Sequence, residues 1–174
     1  MAIKEILTEP NKLLRQISKP VETVGKAEQK LMNDMLETMY YAKGIGLAAI
    51  QIGVPKRIIV MDISKEEKKK NPMYFVNPII INRNNENNTY EEGCLSVPDQ
   101  FAEIDRPSKC EVKYLDYNGN KKILKAEGLL ATCIQHEIDH LQGILFIDYL
   151  SKLKKTMIIK KLSKQKEKVN RIVV

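Results

Sequence analysis

The chain predicts an α+β protein. Three stretches carry that prediction: residues 27–41 and 127–142 place apolar side chains at helical spacing, and residues 110–126 alternate apolar and polar side chains on either side of an Asn-Gly turn. At 174 residues the chain is long enough to bury one core without staples, so a single domain is expected.

Residues 3–21 are mixed, with Pro10 and Pro20 marking turns around a short L-L-R segment. Residues 27–41 read as a helix, with Leu31, Met35 and Met39 on one stripe and Leu36 and Tyr40 beside it; a methionine stripe at this spacing is core packing. Gly44 is its expected stop. The following G-I-G-L-A-A-I-Q, residues 44–51, matches no phosphate cradle, but its small residues would let another backbone, such as a peptide substrate, lie close. Gln51 offers an amide donor for a developing oxyanion, although a surface glutamine is the ordinary case. Residues 57–63 form a strand too apolar to be exposed on both faces, and residues 64–72 a solvated loop. Residues 73–81 are strand-like with a break at Asn77-Pro78, and the Asn-rich run after them reads as a polar turn.

In E-E-G-C-L-S-V-P, Gly93 permits close backbone approach and Pro98 is expected to end any strand. Residues 110–117 and 121–126 form a hairpin whose Asn118-Gly119 suits a type I′ turn. Its Lys113, Lys121 and Lys125 make an ordinary charged face without the interleaved aromatics of a nucleic-acid groove. The helix over 127–142 carries an apolar stripe of Leu130, Ile134, Ile138 and Leu141, and Gly143 stops it. The tail, 147–168, sets Leu150, Leu153, Met157, Ile158 and Leu162 at helical spacing with eight lysines between them.

A net charge of +7 looks like a nucleic-acid signal until it is divided. Residues 1–150 hold 20 Lys and Arg against 21 Asp and Glu, a net of −1, while residues 151–174 hold 9 against 1, a net of +8. Two readings of the tail follow: a helix docked by its apolar stripe with lysines in water, or a contact with ribosomal RNA through salt-dependent phosphate binding. Three irregularly spaced cysteines argue against a disulfide framework and for a reducing compartment. The first residues lack an apolar core of signal-peptide length and no run approaches a membrane span, so a cytoplasmic protein is expected.

Both histidines of the chain lie in Q-H-E-I-D-H, residues 135–140. Random placement would set two histidines four apart roughly 1% of the time, and a Glu directly after the first makes coincidence a poor explanation. On a helix, His136 and His140 project from one face about 6 Å apart and can share one cation, while Glu137 stands about 100° around, placed to act on a water at that cation. A catalytic centre of this kind uses three protein ligands. Phe146 occupies the position where a third histidine would complete the long metzincin pattern, and the only downstream glutamate is Glu167. Cys133 lies about 10 Å along the helix from His140, too far to share the ion, and Cys110 reads as a strand residue. Cys94 remains, against the ordinary reading of a structural cysteine.

Three segments, G-I-G-L-A-A-I-Q (44–51), E-G-C-L-S (92–96) and Q-H-E-I-D-H-L-Q-G (135–143), together with an N-terminal P-N-K-L-L-R, resemble in order and spacing the signature motifs of peptide deformylases, over nearly the whole chain to about residue 146. The resemblance implies small antiparallel sheets wrapped around the metal-binding helix, with N-terminal and C-terminal helices: a catalytic domain over 1–150 with the basic helix and tail of 151–174 packed on it, as in the type 1 forms. It implies removal of the formyl group of N-formyl-methionyl peptides as formate, and a monomer is expected. It also implies one Fe(II) on Cys94, His136 and His140, where zinc, nickel or cobalt can substitute; softness and geometry alone suit all four metals. Glu137 would be general acid and base. Gln51 and the Leu95 N–H would hold the oxyanion, and Ile45 and Gly46 would pair with the substrate backbone, with Gly93 at the close approach. The methionine would enter a pocket lined by Leu129 and Cys133, which helical arithmetic also puts within about 60° of His136. Phe101 stands where many relatives carry an arginine, at the expected cleft rim, and Arg106 is expected to brace Glu92. Two other classes stay open: a zincin-type endopeptidase, and a non-catalytic RNA-binding protein with a structural metal.

Overall fold

The computed structural model describes residues 2–64 and 69–172, with side chains through Lys166. The charged centre of the predicted solvated loop, residues 65–68, and the side chain of Glu167 lie outside the described residues. The elements are α1 (Lys26–Tyr41), β1 (Gly46–Ala48), β2 (Ile58–Met61), β3 (Met73–Arg83), β4 (Asn87–Cys94), β5 (Val97–Pro107), β6 (Lys109–Leu115), β7 (Lys121–Glu127), α2 (Gly128–His140) and α3 (Lys152–Ile172). A five-stranded sheet runs β1-β2-β3-β6-β7 and a separate ribbon pairs β4 with β5, all antiparallel.

The expected α+β wrapping around one helix is what forms. α2 is buried almost throughout from Ala131 to His140, with β1, β2, β4, β5, β6 and β7 against it. The apolar run of β2 is split by its pleat. Ile59 and Met61 join Ile134, Ile138 and Phe75 on the α2 side, whereas Ile58 and Val60 join Met32, Met35 and Met39 of α1 on the other. A strand buried on both faces needs no alternation, which is why this one reads as continuously apolar.

Several local expectations are corrected. Lys43, not Gly44, adopts the left-handed conformation after α1 (φ 57°), and the N–H groups of Lys43 and Gly44 cap the carbonyls of Tyr40 and Met39. The break at Asn77-Pro78 is a bulge inside β3: Asn77 has φ 51°, and its side-chain amide pairs with the backbone of Val21 at 2.8 and 2.7 Å in place of a strand neighbour. The polar run after it keeps its bend only at residues 84–86, with Asn82 and Arg83 ending β3 and residues 87–89 opening β4, and Pro98 lies within β5, because a two-stranded ribbon buries only one face and its edges tolerate proline. The β6–β7 turn is not type I′. Gly119 (φ 82°) alone is left-handed, and the Asp116 carboxylate accepts the N–H groups of Asn118 and Asn120 at 2.9 Å each, building a type I turn with a glycine bulge.

The tail is a 3-10 turn, Phe146–Tyr149, followed by α3. Leu162 is buried with Val97, Ile104, Leu145, Phe146 and Ile147, and Leu150 and Ile158 pack on them. Leu153 and Met157 stay largely exposed, so the predicted docking stripe is only partly used. No helix among the described residues is long and apolar enough to cross a membrane.

Candidate active site

α2 carries His136 and His140 on one face with ring centroids 5.0 Å apart, and the end of β4 delivers Cys94, whose Sγ lies 3.3 Å from His140 Nε2. One donor atom from each of the three lies within 4.8 Å of the others, the only such group among the described residues. A thiolate and two imidazoles converging this closely fit one divalent transition metal.

The surroundings orient these side chains. His136 Nδ1 lies 2.8 Å from Glu92 Oε2. Burial raises the Glu92 pKa, but His136 and Arg106 outweigh it and hold the carboxyl below its ordinary value. An ionised Glu92 can only accept, so Nδ1 carries a proton and Nε2 is the nitrogen available to a cation. Burial lowers the His136 pKa, but Cys94 and Glu92 outweigh burial and raise it well above its ordinary value. Arg106 grips Glu92 through Nε and Nη2, as expected, and also donates to Asp139 at 2.8 Å, which in turn accepts from Tyr149 Oη at 2.8 Å. Burial, with the charges of His136 and Arg106, pushes His140 well below its ordinary pKa, the neutral form a ligand needs.

Glu137 is buried against Gly46, where a Cβ would stand 2.3 Å from Oε1, and its Oε2 has no partner. Burial lifts its carboxyl to about 7, with the charge of His136 opposing and that of Glu92 reinforcing. Such a group exchanges protons near neutrality. Gln51 is buried, unlike an ordinary surface glutamine: Oε1 accepts the Ala48 N–H at 2.9 Å, and Nε2 donates to Ser96 Oγ at 3.1 Å and faces Cys94 Sγ at 3.6 Å. Leu95 and Ser96 form the tight turn between β4 and β5. Gly44 leaves the room that Leu95 fills, since a Cβ there would meet its Cδ1 at 2.7 Å. The N-terminal segment ties this corner together, Leu7 N–H to Gln51 O at 2.7 Å and Glu9 N–H to Ser96 O at 2.9 Å.

Of the eleven residues singled out from the sequence, ten line one cleft of about 490 Å³: Ile45, Gly46, Gln51, Gly93, Cys94, Leu95, Leu129, Cys133, His136 and Glu137. His140 lies beside it against Cys94. β1 is an edge strand, so one side of Gly46 is open to the cleft. Burial pushes the Cys133 thiol well up, and Cys133 is no ligand. Sequence reasoning missed the Glu92–His136 bond, the Ser96 hydroxyl behind Gln51, the Asp139–Tyr149 extension and Tyr90 in the cleft wall. Only Glu92, next to Gly93 and Cys94, carried a signal, and that signal pointed to Arg106.

The profile of the polypeptide deformylase family matches residues 3–156. A peptide deformylase of Pelagibacter ubique (strain HTCC1062) is 76% identical over 174 residues, spanning all of both chains. The crystal structure of peptide deformylase from Ehrlichia chaffeensis is 45% identical with a TM-score of 0.90, covering 95% of this chain and 97% of that one. The Ehrlichia enzyme in complex with actinonin is 47% identical with a TM-score of 0.89, covering 95% and 98%. With a family profile over most of its length and a relative that matches end to end, the chain belongs to the peptide deformylase family.

Proposed function

We propose that Cys94, His136 and His140 hold one Fe(II) per chain, with zinc, nickel or cobalt able to substitute, and that Glu137 moves the protons of the reaction. As a peptide deformylase the chain hydrolyses the formyl amide at the N-terminus of nascent polypeptides and releases formate. The observation that carries the assignment of roles is the convergence of Cys94, His136 and His140 within 4.8 Å beside a buried carboxyl and a buried amide donor.

When bound, a divalent cation supplies Lewis acidity, lowering the pKa of water toward about 7 and polarising a carbonyl. Glu137 accepts a proton from the attacking water and returns it to the departing amine, so water and the formyl amide become formate and a free N-terminus. The Gln51 Nε2–H and the Leu95 N–H donate to the oxyanion, with Ser96 and Ala48 fixing which end of the Gln51 amide faces the reaction. Ile45 and Gly46 pair with the peptide backbone along the open edge of β1, Gly93 faces the peptide from the other wall, and the methionine side chain enters between Leu129 and Cys133. Actinonin, bound by the Ehrlichia relative, should compete for this cleft.

We further propose that residues 1–150 form one catalytic domain with 151–174 packed on it, that the chain works in the cytoplasm as a monomer, and that the lysines of α3 contact ribosomal RNA. Cosedimentation with ribosomes that falls steeply with salt supports that contact; salt-independent cosedimentation or none refutes it. The test of the chemistry is formate release from formyl-Met-Ala-Ser by protein prepared anaerobically with Fe(II), beside Glu137→Ala. Release by the wild type alone, with equal metal in both, is expected. Equal rates would remove Glu137 from the mechanism.

A further inference from the structure

We infer that Phe101 is a specificity-determining residue: its ring is a shelf for the side chain directly after the substrate methionine, and this chain favours an apolar residue there. The inference rests on the peptide alignment proposed above. Phe101 is 66% exposed, yet it lines the same cleft as Cys94 and Glu137. Its seat is set by register. Phe101 pairs directly with Gly93, and a Cβ on Gly93 would stand 2.6 and 2.7 Å from two ring carbons, so the ring lies across the Gly93 backbone.

The pleat decides which substrate side chain meets the ring. Along β4 and β5, Glu92, Ile104 and Arg106 are buried, whereas Glu91, Phe101 and Glu103 are exposed. The ribbon thus turns one face inward, where Glu92 reaches His136 of α2, and the Gly93–Phe101 pair lies on the other. An extended peptide between β1 and β4 alternates in the same way. With methionine pointing inward to Leu129 and Cys133, the next side chain points outward, to the ring. An aromatic ring covered by an apolar side chain sheds water from both, whereas a serine there gains nothing.

An aromatic over a cross-strand glycine can also simply brace a hairpin. That role would slow every peptide alike when the ring is removed. The experiment is therefore kcat/KM for formyl-Met-Phe-Ser, formyl-Met-Leu-Ser and formyl-Met-Ser-Ser with metal-loaded wild type, Phe101→Ala, Phe101→Tyr and Phe101→Arg. The wild type should favour Phe and Leu over Ser by about tenfold, the low end for an apolar contact because the shelf is open. Phe101→Ala should compress the ratio below about twofold, Phe101→Tyr should keep it, and Phe101→Arg, which still covers Gly93, should lose it and gain on formyl-Met-Asp-Ser. A wild type without discrimination, or a ratio unchanged in Phe101→Ala and Phe101→Arg, overturns the inference while leaving deformylation intact. No turnover of any peptide overturns the site reading on which it stands.

Discussion

Replacing Gly46 by alanine should separate the rate of this enzyme from its stability. The added Cβ would stand 2.3 Å from Glu137 Oε1 and 2.8 Å from its Cδ, where ordinary contact begins at 3.4 Å, so the carboxyl must retreat by about 1 Å. What yields is the far end of a side chain, so the fold should lose only about 1 kcal/mol, the low end of overpacking. The rate should suffer far more. A displacement of about 1 Å in a proton-transferring group costs on the order of a hundredfold, or about 2.7 kcal/mol of barrier. Formate release from formyl-Met-Ala-Ser under saturating substrate reads kcat, urea denaturation reads stability, and metal analysis confirms that the ligands are occupied. A kcat within about threefold of wild type in a metal-loaded Gly46→Ala protein would refute the claim that Glu137 must stand where it does.

Further perturbations test other parts of the structure. Arg106→Ala leaves the buried Glu92 without its cation and frees Asp139, and denaturant melts should show a loss of about 3 kcal/mol or more; a loss below about 1 kcal/mol would mean that Glu92 finds another partner. Nickel or cobalt at about 100 times its Kd should stabilise the wild type by about 2.7 kcal/mol, and Cys94→Ala should abolish that rise together with formate release. Burial raises the Asp148 pKa, but Lys155, the Leu145 N–H and Arg15 outweigh it and hold the carboxyl below 3.8. Folding thus favours its charged form, and the stability it adds is present above about pH 4 and lost as the pH falls below that. The denaturation midpoint should drop less between about pH 5 and pH 3 in Asp148→Asn than in the wild type, and parallel curves would contradict this.

What the sequence disclosed was local. His136, Glu137 and His140 share one helix, so their spacing and the Ile134–Ile138 stripe were enough to place them. The β4–β5 ribbon stayed hidden because Asn87, Thr89 and Glu91 alternate with partners that are themselves polar, and no period of apolar residues marks the strand. Asn118-Gly119 misled because the Asp116 carboxylate, outside the dipeptide, decides the turn. The Glu92–His136 bond joins residues 44 apart, and the fit of Gly46 to Glu137 depends on β1 lying against α2; neither leaves a trace in linear spacing.

The lacing of the N-terminal segment has a consequence for when the enzyme comes into being. Leu7 and Glu9 hold Gln51 and Ser96, the Ser18 N–H bonds to Leu141 O, and Arg15 reaches Gly143 and Asp148, 128 and 133 residues further on. The backbone at Arg15 is so close to Gly143 that a Cβ there would stand 2.4 Å from the Arg15 carbonyl oxygen. Arg15 and Ser18 are therefore made well before the residues 141–148 that they bind, and loop closure over more than 120 residues precedes a competent site. Unfinished copies that lack α2 have neither His136 nor His140 and leave Arg15 and Ser18 without the partners that follow that helix, so the reaction awaits synthesis through α2.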